Sequence, residues 1–521
     1  MKYLYSTLLL IIYTSGFSQV STSAEDILQS LKIQNELIEN SIVKNLEFKN
    51  IGPSVMSGRV TDLEVNPNNP SEFYVAYASG GLWHTVNNGN TFTPIMDNSD
   101  TQNIGDFDID WSTRLIIVGT GENNSSRSSY AGVGILKSND NGKTWKNIGL
   151  NDSHHIGKIV INPNNPNEIV VAVLGHLYSK NKERGIFKTI DGGVTWENTL
   201  YIDESTGIID LDISPNNFKI QFASSWQKSR KAWDFKGNGE KSGIYKSVDS
   251  GNTWNLISTQ KSGFPTGNGV GRIGLAVFDS KTLYAVVDNQ FRRPKSKVST
   301  EKTDLSKNYF ESISKERFLK IDDLKLDKFL TTNSFPKKYN STKIKELVKN
   351  DLIKPSDLKL YLEDANTVMF ETPIIGAQVY RSDDGGLNWT LKNSYYLDRL
   401  YNTYGYYFGK IHVSPVNKDN IYIYGVPFIK SNDGGVTYKS IDYPNVHVDH
   451  HDLWINPKNP KHLINGNDGG VNISYDDGEN WLKLNQPSVG QFYTINVDNE
   501  VPYNVYGGLQ DNGVWMANSN S

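Results

Sequence analysis

The chain has 521 residues, 37% of them hydrophobic and 21% charged, with a formal net charge of −4. Those values fit an ordinary globular protein, and near-neutral charge excludes the basic face that nucleic-acid binding needs. With no Cys, disulfides, thiolate metal sites and an N-terminal lipid anchor on Cys are excluded as well.

Lys2 followed by the apolar run Leu4 to Tyr13 and the small residues Ser15-Gly16 reads as a secretory leader, residues 1–18, ending near Ser18. It is too short to span a membrane, and no later run approaches the ~20 apolar residues that a spanning helix needs. The expectation is an exported protein, periplasmic, surface-associated or released. Residues 19–47 form a lead-in segment before the first repeat.

From residue 48 the chain repeats. Six segments share the pattern Ser/Thr-x-Asp-x-Gly-x-Thr/Asn-Trp/Tyr, beginning at Ser138, Thr189, Ser247, Ser382, Ser431 and Ser474, with a degenerate copy at Thr85. Counting Asn87 first, the Asp-to-Asp steps are 53, 51, 58, 135, 49 and 43 residues. Asp and Ser side chains that accept from nearby backbone N–H groups, with Gly at φ > 0, make a tight hairpin, and the Trp is free to pack beneath it. Asp140-Asn-Gly and Asp384-Gly-Gly have a faint Ca²⁺-loop look, but EF-hand spacing and its terminal Glu are missing.

Ahead of each turn lies an apolar strand, an Asn-Pro or Ser-Pro turn and a second apolar strand, as in Leu63 to Val75 and Ile159 to Val171. Each period therefore supplies four strands, A to D, which make one twisted sheet. An all-β propeller of about seven four-stranded blades follows, either complete or the first part of a larger or double one. Blades occupy residues 48–290 and 370–493, and residues 494–521 start a further or closing blade. The 135-residue step holds an insertion at 291–369 with helical spacing (Phe318, Ile321; Leu326, Phe329, Leu330; Ile344, Leu347, Val348). Its segment 291–365 carries 18 Lys/Arg against 12 Asp/Glu, which suits a solvated decoration or a docking module.

Strand parity places the A–B and C–D turns on one face and the longer B–C and D–A loops on the other. Loops on a rigid scaffold carry function more often than the scaffold does. The ligand-binding candidates on the loop face are Arg59, Trp226, Tyr404, Tyr406, His447, His450 and Asp452. His447, Asp449 and His451 would project to one side of an extended segment, a candidate divalent-metal set, with a hydrogen-bonded polar plug as the alternative. Asp62, Asp106, Lys158, Asp210, Lys410 and Asp452 recur at the first inward position of strand A, where they would ring a central funnel. Glycoside hydrolysis needs a paired acid and base, for which Glu122, Asp449, Asp468 and Asp511 are the candidates.

The repeat resembles the Asp-box, or BNR, repeat of sialidases, two-propeller xyloglucanases and the sortilin (VPS10) domain. Large secreted bacterial proteins of this kind look similar in Ala78 to Trp83, Val118 to Glu122, His447 to Trp454, Gly466 to Gly470 and Gly508 to Gly513. The resemblance implies a sortilin-like propeller that grips a peptide, protein or glycan, or else a glycoside hydrolase. A xyloglucanase-type site would place one Asp just before Gly80-Gly81, where this chain has Ser79, and its partner at Asp468. The partners expected are therefore a glycan or an extracellular protein or peptide, with no nucleic acid and no cofactor beyond the metal.

Overall fold

The computed structural model describes residues 21–53, 56–294, 305–333, 335–336, 338–362, 374–401, 404–442, 445–484 and 486–520. The expected leader at 1–18 lies outside them, as do residues 295–304 and 363–373 on either side of the insertion's helices. Among the described residues no helix is long and apolar enough to cross a membrane.

Among the described residues, seven four-stranded antiparallel sheets follow one another along the chain. Their inner strands are Val60–Val65, Ile104–Asp110, Ile156–Ile161, Thr206–Ser214, Val270–Val277, Lys410–Ser414 and His450–Ile455. Each inner strand packs on the next, and the seventh packs on the first. Val60, Leu63 and Phe73 of the first sheet share a core with Ile464, Val471 and Leu484 of the seventh. The result is a closed propeller.

Neighbouring blades are joined by carboxylates as well as by apolar packing. Asp62 accepts from Phe107 N at 3.0 Å, Asp106 from Ile159 N at 2.7 Å and Asp210 from Leu275 N at 2.8 Å. Asp452 closes the ring in the same way, accepting from Leu63 N at 2.9 Å. Lys158 and Lys410 neutralise this inner ring, with Lys158 Nζ 2.9 Å from Asp106 and Lys410 Nζ 3.6 Å from Asp452. The recurring inward charges therefore tie blades together, and Lys158, Asp210, Lys410 and Asp452 among them line a central cavity of about 210 Å³.

The repeat turns join strands C and D. Asp140 accepts from the backbone and hydroxyl of Thr144 at 2.9 and 2.6 Å, and Gly142, at φ 83°, donates to Ser138 Oγ. Trp145 and Trp196 reach back to the preceding blade, donating to Ile95 O and Ile148 O at 2.8 Å. A–B and C–D turns share one face, since Asn88 N donates to Ser71 O and Gly192 N to Asn167 O. B–C and D–A loops share the other, through Gly81 N to Gln102 O and Gly121 N to Asn103 O.

Between strands Leu283–Arg292 and Ile374–Ser382 of the fifth sheet lie the helices Lys315–Leu319, Asp323–Thr332, Ser341–Lys349 and Ser356–Leu362. They have their own core of Phe310, Phe318, Leu326, Phe329, Ile344 and Val348. Residues 492–518 form a separate three-stranded sheet outside the ring. It is not the closing blade, because the seventh sheet already meets the first.

Candidate functional site

Loops from several blades converge on the face opposite the repeat turns. Between them lies a pocket of about 390 Å³ lined by Arg59, Ser126, Tyr404, Tyr406, Tyr407, Asp449, Asp468, Gln510 and Asp511, among others. Asp511 comes from the turn of the extra sheet, where Asn512 donates to Asp468 O at 3.0 Å. That bond explains why the extra sheet lies against this face.

The floor is a buried ionic network. Arg59, just before the first inner strand, donates from Nη1 to Glu122 Oε1 at 2.9 Å and from Nε to Asp468 Oδ1 at 3.3 Å. His451 Nε2 lies 2.7 Å from the same Asp468 oxygen. Asn124 donates to Glu122 at 3.3 Å, and Arg272 in turn donates to Asn124 at 3.1 Å and to the carbonyls of Tyr406 and Tyr407 at 3.2 Å. The Arg59 guanidinium lies over the Tyr407 ring, 5.3 Å from its centre. Arg59, Glu122 and Asp468 are 8%, 1% and 2% exposed.

The walls differ from the floor electrostatically. Burial alone would raise the Asp468 carboxyl, but Arg59 and His451 outweigh it and hold the group well below the usual carboxylate range. Burial lowers His451 against the opposing pull of Asp468, so a neutral ring donates to an ionised carboxylate. Asp449 is pushed up to about 7, first by burial and then by the negative charges of Asp468 and Asp511. Burial also raises Asp511, with Asp468 adding to the effect. One pocket thus holds an ionised carboxylate beside a carboxyl that keeps its proton near neutrality.

The sequence candidates divide by position. Arg59, Tyr404, Tyr406, Asp449, Asp468 and Asp511 meet at the pocket, and Glu122 supports it from beneath. His447 stands at its edge, 3.2 Å from Asp511 O, with its other ring nitrogen 2.8 Å from Val448 O. Besides His447, three ligand-binding candidates do not line it. Trp226 is wholly buried beneath the hairpin Ser229–Lys231/Asp234–Lys236, donating to Gly237 O at 2.8 Å. His450 is 1% exposed and bonds Asn465 inside its own sheet. Asp452 belongs to the inner staple ring.

The metal set His447, Asp449 and His451 does not assemble either. Asp449 sits at φ 65°, so the extended alternation that would align the three is broken, and the strand begins only at His450. Among the described residues, the group whose ligand atoms converge is Asp152, His154 and His176. Asn124 and Gln510 are site residues whose roles only the convergence of loops from different blades reveals. The repeats of aromatic residues at 404–407 and of Asn at 123–124 were the available signals.

No protein-family model matches the chain, and no curated protein matches it in sequence. Among solved structures, an ancestral GH74 enzyme is similar over 90% of this chain and 54% of its own, with a TM-score of 0.53 and 14% identity. The GH74 xyloglucanase from Xanthomonas campestris aligns over 90% of this chain and 73% of its own, at a TM-score of 0.37 and 11% identity. YCF48 bound to D1 peptide aligns over 83% and 98%, at 0.42 and 12%. The chain spans about half the length of the ancestral enzyme. At 14% identity the likeness to the ancestral GH74 enzyme speaks to the fold alone, which is a β-propeller.

Proposed function

We propose that the chain is an exported glycan-binding propeller of the Asp-box kind, whose ligand enters the pocket opposite the repeat turns. The observation that carries this reading is the pairing of tyrosine rings with a protonated carboxyl. Tyr404, Tyr406 and Tyr407 offer faces for sugar rings beside Asp449, whose proton is held up to about 7. A neutral carboxyl both donates and accepts, which matches sugar hydroxyls. Asp468 and Asp511 make the surroundings acidic and disfavour uronic or sialic acids. The leader-like composition of residues 1–18 supports export.

The test is calorimetric titration of neutral and acidic oligosaccharides into the purified protein. Binding of a neutral oligosaccharide, weakened tenfold or more by Tyr406→Ala and by Asp449→Ala, supports the reading. Absence of binding, or binding that both variants leave unchanged, overturns it.

A second reading, glycoside hydrolysis, is favoured by the opposed protonation of Asp449 and Asp468 in one pocket. Asp449 would act as the acid. Asp468, held ionised by Arg59 and His451, would be its basic partner. Release of reducing sugar that Asp449→Asn abolishes at unchanged melting temperature would select this reading over simple binding.

A further inference from the structure

One blade away lies a second cluster that the pocket does not use. Asp152 and His154 stand in the loop before strand Ile156–Ile161, and His176 in the loop after strand Ile169–Val173. Both loops belong to the third blade and open on the same face as the pocket. The ligand atoms of the three side chains lie within 4.8 Å of one another. We propose that Asp152, His154 and His176 form a binding site for a first-row divalent transition ion, zinc above all.

Two imidazoles and a carboxylate suit zinc, with a fourth position left for water or a ligand. His176 Nε2 lies 3.1 Å from Asp152 Oδ1. Two ligands on a tetrahedral zinc with bonds of about 2.0–2.1 Å stand roughly 3.3 Å apart, so this pair already has the right spacing.

His154 supplies the independent observation. Its Nε2 is buried without a hydrogen-bond partner, an arrangement that folded proteins rarely leave. Its ring stacks on that of His176, with centres 3.6 Å apart and planes 19° from parallel.

A surrounding shell fixes the ligands. His176 Nδ1 lies 2.7 Å from Ser179 Oγ, which orients the ring. Asn181 donates to Asp152 O at 2.6 Å and to Asp152 Oδ2 at 3.3 Å, and accepts from His176 N at 3.1 Å. Glu183 accepts from Asp152 N at 2.8 Å and adds a carboxyl nearby. Two buried cations lie beside the cluster: Arg184 points its guanidinium at the carbonyls of Leu174, His176 and Ser179, and Lys228 donates to His176 O at 3.4 Å, so both brace the loop. The inference stands independently of the glycan reading, although the two sites touch the same loop: His155 Nδ1 lies 2.8 Å from Glu122 O.

The test uses the full chain, stripped with a chelator and titrated with zinc, cobalt and calcium. One zinc per chain, at least a hundredfold preference over calcium, and d–d absorption bands on cobalt loading are expected. Asp152→Asn keeps the shape of the side chain and so the fold; it should weaken zinc tenfold or more, and His176→Gln likewise, while His447→Ala leaves binding unchanged. No stoichiometric zinc, or zinc that persists in Asp152→Asn and His176→Gln but is lost in His447→Ala, overturns the proposal. A Asp152→Asn protein with unchanged melting temperature in chelator but no zinc-induced rise separates lost metal from lost fold.

Discussion

His451 Nε2 and Asp468 Oδ1 are 2.7 Å apart, and both side chains are almost wholly buried. The same oxygen also takes Arg59 Nε at 3.3 Å. Two donors on one oxygen keep Asp468 ionised in a place where burial alone would protonate it. That fixed negative charge then helps to hold the proton on Asp449, so the floor of the pocket sets the chemistry of its wall.

Removing the cation should expose how much the floor depends on it. Arg59→Met leaves Glu122 and Asp468 buried without their partner, which costs about 3–5 kcal/mol by analogy with other broken buried pairs. Urea unfolding measures this, and adding Asp468→Asn should restore part of the loss. A loss below about 1 kcal/mol would show that water reaches the network.

Asp449 should titrate with a midpoint near 7, visible in the carboxyl carbon shift by NMR. Because the folded state binds this proton more tightly than an unfolded Asp does, its contribution to stability falls as pH rises from about 4 through 7. Asp468→Asn should lower the midpoint by removing a like charge, yet leave it above the ordinary value because burial is the larger cause. A carboxyl shift that is flat between pH 5 and 8 contradicts the assignment.

The inter-blade staples make a separable prediction. Asp62→Ala removes the acceptor of Phe107 N, worth about 1.5–3 kcal/mol for a hydrogen bond to a charged group. Asp62→Asn retains an acceptor and should recover most of that. Equal losses in the two variants would mean that charge pairing with Lys158, rather than the hydrogen bond, holds the blades.

Trp226 and Trp233 differ sharply in place despite their closeness in sequence. Trp226→Ala should cost about 3–5 kcal/mol, because the ring is wholly buried. Trp233, 83% exposed at the tip of the hairpin, should tolerate Ala within ±0.5 kcal/mol. Thermal and denaturant unfolding of the two variants decide the matter.

The propeller was legible because its rules are local. Asp140, Gly142 and Trp145 build their turn from residues within eight positions, and the period repeats it. Strand alternation then placed the loops on one face, where Tyr404, Tyr406, Asp449 and Asp468 do meet. What escaped the sequence depends on backbone exceptions and distant meetings. The φ of 65° at Asp449 dissolves the extended His-x-Asp-x-His arrangement, and no residue type announces that angle. A two-stranded hairpin after Gln227 buries Trp226, which composition alone offers as a sugar platform. Asp152 and His176 lie 24 residues apart and meet only because the two ends of one blade's loops converge.

The closure of the ring has a topological consequence. Asp452 binds Leu63 N with the same group, the same partner type and nearly the same distance as Asp62 binds Phe107 N. Val489, just past the seventh sheet, packs against Gly58, just before the first strand of the first sheet, and Gly80, between its second and third strands. The junction between last and first blades is thus of the same kind as that between the first and second, and blade order is a cyclic rather than a linear property. Circular permutants opened in an exposed turn of any blade, with the segments near 58 and 489 spliced together, would encode the same wheel.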